Sequence, residues 1–79
     1  MLEVWAAPLT GGRWAAALFN RSPGPDAITL EWGALGVTPG TRFDVRDVWA
    51  AADRGVFAGE YTAAAVDAHG VALLVLTPA

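Results

Sequence analysis

The stretch Ala27-Ile28-Thr29-Leu30-Glu31-Trp32 decides the fold. Ile28, Leu30 and Trp32 alternate with Thr29 and Glu31, a period of two that puts one row of side chains inward and the other in water. Arg42-Phe43-Asp44-Val45-Arg46 repeats the pattern, with Phe43 and Val45 inward and three charged side chains outward. Outward from these half-buried strands lie two near-continuous apolar runs, Trp14 to Asn20 and Val71 to Thr77. Such runs predict central strands covered on both faces. Leu2 to Ala7 and Glu60 to Val66 complete the set. Alanine at 63, 64 and 65 favours helix by propensity, but the run is short and flanked by the β-formers Thr62 and Val66. It reads as strand.

Turn chemistry separates the strands at the close spacing of a sandwich. Thr10-Gly11-Gly12 predicts a hairpin in which glycine supplies the positive φ. Ser22-Pro23-Gly24-Pro25-Asp26 cannot continue a strand, because proline donates no ladder hydrogen bond. Gly33-Ala34-Leu35-Gly36 predicts one helical turn, and Thr38-Pro39-Gly40-Thr41 a plain turn. Asp53-Arg54-Gly55 predicts another turn, with Gly55 left-handed. No repeat or second domain is visible. Residues 1–79 therefore read as one small all-β domain, an antiparallel two-sheet β-sandwich of six to eight short strands.

Composition narrows the functions open to it. The chain has 79 residues, of which 54% are hydrophobic and 16% charged. Mean hydropathy is +0.39. That is too apolar for a disordered tail, and the run Val71 to Leu76 is far short of the ~20 apolar residues of a spanning helix. The net charge of −3, with five arginines and no lysine, argues against nucleic acid, which needs clustered cations. No membrane partner is expected. Without cysteine there is neither a disulfide nor a thiolate metal site, and the sequence calls for no cofactor. The amino-terminus lacks the basic and apolar regions of a signal peptide, so the chain reads as cytoplasmic or as a piece of something longer, and its compartment stays open. A domain this small buries only about 60–65% of its unfolded surface. Its high apolar content predicts that a partner covers part of it.

Catalytic chemistry finds little purchase. Glycoside cleavage needs two carboxyl groups about 5–9.5 Å apart across one bond. Asp44 and Asp47 differ by an odd number, so they point to opposite faces of their strand. His69 has no serine or cysteine near it in sequence, and within Asp67-Ala68-His69-Gly70 it is expected to hydrogen-bond a turn backbone. The sequence therefore assigns no catalytic, cofactor-binding or metal-binding residue. Trp5, Trp14, Trp32 and Trp49 are many for so short a chain; each is read first as core or interface packing, and second as a platform for stacking a sugar ring. In the Arg46-Asp47-Val48-Trp49 segment, alternation continued from Val45 sends Asp47 and Trp49 inward, predicting a partly buried carboxylate with Trp49 closing the core over it.

The order of the motifs adds a resemblance. Val4-Trp5-Ala6-Ala7-Pro8-Leu9 is followed by Ala16-Ala17-Leu18-Phe19-Asn20-Arg21, then by Ile28 to Trp32 and Leu35-Gly36-Val37. Val45-Arg46-Asp47-Val48-Trp49, Asp53-Arg54-Gly55-Val56-Phe57 and His69-Gly70-Val71-Ala72-Leu73-Leu74 come next, and Leu76-Thr77-Pro78 closes the series. The series resembles the C-terminal β-sandwich domain of α-galactosidases (melibiases) of glycoside hydrolase family twenty-seven, over nearly the whole chain. The resemblance implies Greek-key connections and docking on a catalytic (β/α)8 barrel whose aspartates cleave terminal α-galactosides with retention. It marks Asn20, Arg46, Asp47, Trp49 and His69 as structural motif residues. The chain departs from the family pattern at Trp14, where a small or branched residue is usual, which makes Trp14 the candidate for weak sugar contact.

The sequence thus predicts a non-catalytic accessory domain that covers and stabilises a catalytic barrel. A free-standing carbohydrate-binding module, or a module that associates with a second copy of itself, is the alternative.

Overall fold

The computed structural model describes residues 2–79, apart from the side chain of Ala65. Met1, where the reading of the amino-terminus began, lies outside the described residues. Seven strands follow one another: β1 (Leu2–Pro8), β2 (Trp14–Asn20), β3 (Asp26–Glu31), β4 (Arg42–Asp47), β5 (Ala52–Ala58), β6 (Glu60–Val66) and β7 (Val71–Pro78). Short 3-10 turns cover Thr10–Gly12 and Trp32–Leu35. Among the described residues no helix is long and apolar enough to cross a membrane.

The strands form a five-stranded sheet of order β1-β2-β7-β4-β5 and a two-stranded sheet of β3 and β6, with every pairing antiparallel. The chain passes between the sheets at β2–β3, β3–β4, β5–β6 and β6–β7. The all-β sandwich read from the sequence is the fold observed. Alternation works as expected in β3 and β4: Ile28, Leu30, Phe43 and Val45 are buried, while Thr29, Glu31, Asp44 and Arg46 are exposed. The core closes around Trp32, fully buried at the end of the β3 row. Its indole stands edge-on to Phe43 at a centroid distance of 5.2 Å, and its Nε1–H donates to the Thr41 carbonyl at 2.8 Å. The ring therefore gains apolar burial without stranding its polar atom.

Among the described residues Asn20 is the buried polar side chain, 1% exposed. Its Nδ2 donates to the carbonyls of Gly24 and Val66, each at 2.8 Å, and its Oδ1 accepts from the Ser22 amide at 2.8 Å. One amide group thus ties the end of β2, the Ser22-to-Pro25 connection and the end of β6, supplying partners that the proline-interrupted backbone cannot find in a ladder.

Two readings of local structure are corrected. Asp53-Arg54-Gly55 is not a turn but lies within β5. Gly55 has the expected positive φ of 100°, yet it uses it at a register shift, where Val45 pairs with Gly55 and Arg46 with Asp53. A glycine inside a strand marks a bulge as readily as a turn. Trp49 does not close the core. β4 ends at Asp47, the chain turns, and Trp49 is 74% exposed.

Candidate functional site

Strand parity assigns each side chain of the five-stranded sheet to one of two faces. Across the β2–β7 ladder Ala16 faces Leu74 on the inner side, whereas Ala15 faces Val75, Ala17 faces Leu73 and Phe19 faces Val71 on the outer side. β1 adds Trp5 and Ala7 to the outer face, opposite Ala17 and Ala15. The small sheet covers the inner face alone. Over β1, β2 and β7 the outer face is thus apolar and open, with Trp5 62% exposed and the neighbouring Val48 about half exposed, whereas over β4 and β5 it carries Asp44, Arg46 and Asp53.

This face is shaped. Ala7, Ala15 and Ala17 leave a shallow hollow of about 320 Å³, bounded by Trp5 on one side and by Val48, Leu73 and Val75 on the other. Ion pairs frame it. Toward β1, Glu3 accepts from Arg21 Nε at 2.7 Å and from the Trp5 indole, while the Arg21 guanidinium lies 5.7 Å from the Phe19 ring centroid. Toward β5, Arg46 pairs with Asp53 at 3.0 Å. The Trp5 hydrogen bond, aided by Arg21, holds the Glu3 carboxyl below its usual range. An apolar centre with a charged rim is the anatomy of a protein contact surface.

The residues singled out in the sequence do not form one site. Asn20 lies in the core, and Arg46 is exposed at the rim of the outer face. Asp47 turns to the inner side, its side chain 15% exposed, and accepts from the Ala50 amide at 3.0 Å and from Arg54 at 3.4 Å. The expected inward carboxylate is there, held by a turn amide and an arginine. Trp49 follows it into solvent. His69 occupies a left-handed turn position, φ 56°, and is exposed; among the described residues its imidazole makes no hydrogen bond, so the expected side-chain contact to the turn is absent. The turn is closed instead by the Gly70 amide, donating to the Asp67 carbonyl at 2.8 Å. Trp14 is half-buried and packs against the core cluster, a poor platform for a sugar. Asp44 is exposed on the outer face, opposite Thr77 and Val56. No group of three or more potential metal ligands occurs among the described residues.

A second concavity lies on the other side of the large sheet. A groove of about 510 Å³ runs between the β4–β5 connection and β6, bordered by Asp47, Trp49, Arg54, Tyr61, Ala63 and Ala72. Sequence reasoning did not find it, because it depends on how far the small sheet extends over the large one. Nor did it find which face of the large sheet lies bare. The signal for that is present in the apolar runs of β2 and β7, but an unbroken run predicts cover on both sides and the chain supplies it on one.

The chain is thus a seven-stranded antiparallel sandwich whose large sheet is covered by the small one on its inner side and open on its outer side. Comparison with known proteins gives the family. Residues 1–76 match the α-galactosidase C-terminal β-sandwich domain, and the chain belongs to that family. It is 39% identical to the α-galactosidase of Cyamopsis tetragonoloba over 77 residues, covering 98% of this chain and 18% of that protein. It is 43% identical to the α-galactosidase of Coffea arabica over 77 residues, covering 98% of this chain and 20% of that one. The chain thus spans about a fifth of the length of these relatives. Among solved structures, α-galactosidase I of Mortierella vinacea shares the fold with a TM-score of 0.90 at 24% identity, over 99% of this chain and 21% of its own. The family twenty-seven β-L-arabinopyranosidase of Geobacillus stearothermophilus aligns with a TM-score of 0.86 at 26% identity, over 99% and 17%.

Proposed function

We propose that residues 1–79 form a single non-catalytic accessory domain of an α-galactosidase-like glycoside hydrolase. The domain covers and stabilises the catalytic (β/α)8 barrel of that enzyme, which hydrolyses terminal α-galactosides. The observation that carries this reading is the open outer face of the five-stranded sheet, apolar at Ala15, Ala17, Leu73 and Val75 and framed by ion pairs. Monomeric soluble proteins seldom leave so continuous an apolar surface exposed without a use for it. The relatives add a physical reason for the cover, since about four-fifths of each lies outside the matched segment. The carboxylates support the lack of catalysis: Asp44 and Asp47 lie on opposite faces of one sheet, so no single glycosidic bond fits between them.

The reading is tested by placing these residues in a full-length enzyme. In a chimera, the chain replaces the corresponding segment of the Coffea arabica α-galactosidase. Hydrolysis of a chromogenic α-galactoside is then followed after heating. The chimera should retain activity, and Ala17→Arg, which puts a charge in the centre of the outer face, should sharply shorten its half-life at elevated temperature. The 79-residue chain alone should give only background hydrolysis. Retention of full heat stability by the Ala17→Arg chimera would overturn the docking face.

A further inference from the structure

We propose that the groove beside Trp49 binds a neutral sugar ring, making it a carbohydrate-binding subsite separate from the outer face. Its volume of about 510 Å³ lies within the roughly 300–1,000 Å³ of small-molecule sites. Its lining is mixed. Ala63, Val66 and Ala72 give an apolar floor, while Asp47, Arg54 and Asp67 supply charge. Two carboxylates against one guanidinium disfavour an anionic ligand, and the Asp47–Arg54 pairing at 3.4 Å removes much of the pull on a cation. A neutral molecule with one apolar face and many hydroxyls fits that lining.

Trp49 supplies the stacking surface. It is 74% exposed, so core packing does not account for it. Nor is it a loosely held side chain on a long loop. The turn that carries it is tied by the Ala50 amide donating to Asp47 Oδ1 at 3.0 Å and by the Ala51 amide donating to the Val48 carbonyl at 3.3 Å. Ala51 sits at φ 53°, a left-handed conformation that alanine adopts only under constraint from its surroundings. The electron-rich face of an indole attracts the C–H face of a pyranose ring.

The polar partners line the same groove with bonding capacity to spare. An ionised carboxylate offers about four acceptor positions and a guanidinium five donors. Asp47 uses its oxygens for one amide and one arginine contact, and Arg54 makes one contact, so both retain groups for adjacent hydroxyls. Because Asp47 is fixed by the backbone, those groups are oriented before a ligand arrives. The outer face lacks this combination, having no charged side chain at its centre.

The experiment uses the 79-residue chain labelled with nitrogen-15, titrated separately with galactose, arabinose and raffinose up to about 100 mM, a range suited to weak single-ring binding. The expected result is a saturable set of amide shifts confined to residues 47–54 and 61–67, with a matching change in tryptophan emission. Trp49→Ala should weaken the affinity at least about tenfold, and Asp47→Asn should weaken it less. Trp5→Ala, on the outer face, should leave it unchanged. The spectrum of each variant reports directly that it remains folded. Absence of saturable shifts with all three sugars overturns the proposal, as does binding that survives Trp49→Ala. If Trp49→Ala destabilises the chimeric enzyme while the parent chain ignores sugars, the groove is a protein contact instead. A failed Ala17→Arg test would leave this result untouched, because the two surfaces lie on opposite sides of the sheet.

Discussion

The two faces of the five-stranded sheet are built from the same strands, and the chain itself covers only one of them. On the inner face Ala16, Leu18, Phe43, Val45, Leu74 and Leu76 are buried beneath a sheet of only two strands. On the outer face residues of nearly the same character, Ala15, Ala17, Leu73 and Val75, are only half-buried and carry no second layer of this chain. The lesson concerns what an apolar residue signifies in a strand. Alternating with polar residues, it marks the one face that the chain itself covers. In an unbroken run it marks two faces that want cover, and the second covering layer need not belong to the same segment.

Breaking the inner face should have the largest effect. Trp32 is fully buried, and its loss removes the edge contact to Phe43 as well as the bond to Thr41. Trp32→Ala should cost roughly 3–5 kcal/mol, the range for truncating a buried aromatic residue. That rivals the whole stability of a small domain. Denaturant titration followed by circular dichroism should find the variant mostly unfolded before denaturant is added. A midpoint near that of the parent would mean that the inner face is not where stability resides.

Asn20 should come next. Asn20→Ala removes the two donors satisfying the Gly24 and Val66 carbonyls and the acceptor for the Ser22 amide. Each buried group left unpaired costs about 1–3 kcal/mol, less where water can enter beside the loop. The expected loss is about 2–4 kcal/mol, and amide exchange should quicken first across residues 20–26 and at the end of β6. A uniform rise in exchange over the whole chain would instead show that this junction opens only with global unfolding.

The outer face should behave in the opposite way. Leu73→Ser should lie within about 1 kcal/mol of the parent in the isolated chain, because the side chain is only half-buried, on the face that carries no inner layer. In the chimeric enzyme the same change should shorten the heat-inactivation half-life. If Leu73→Ser unfolds the isolated chain, the contrast between the faces fails. If it changes neither chain nor chimera, the face is bare without being a contact.

How far the sequence reveals all this depends on the element. β3 and β4 were legible because their charged residues alternate strictly with apolar ones. β5 was not, since Asp53-Arg54-Gly55 carries turn chemistry and becomes strand only through pairing with β4 around a bulge. Trp49 was misplaced by extending a period of two beyond the strand. The ladder contact continues to Val48, whose amide donates to the Leu73 carbonyl at 2.9 Å, and then the chain turns. Asn20 was picked out through family resemblance, but its three bonds join segments far apart in sequence and no local pattern announces them. The groove is a matter of sheet extent, which alternation does not encode.

The smallest expected effect sharpens the comparison at the rim. The Glu3 carboxyl is held below its ordinary value near 4.5, chiefly by the Trp5 hydrogen bond and then by Arg21. A carboxyl whose folded pKa is depressed stabilises the native state above its unfolded pKa, and the contribution disappears as pH falls through the folded value. Its pH window therefore starts near 4.5 and runs downward. The group is exposed, so the effect on overall stability should be slight and further reduced by salt. The better readout is local: the Trp5 indole N–H resonance should titrate with a midpoint below 4.5, and Glu3→Gln should abolish that titration. Arg21→Gln should move the midpoint upward without removing it, since the indole bond remains. A midpoint at or above the ordinary carboxyl value would show that Trp5 is not held by Glu3. The outer face would then lose the ordered edge that separates its apolar centre from water.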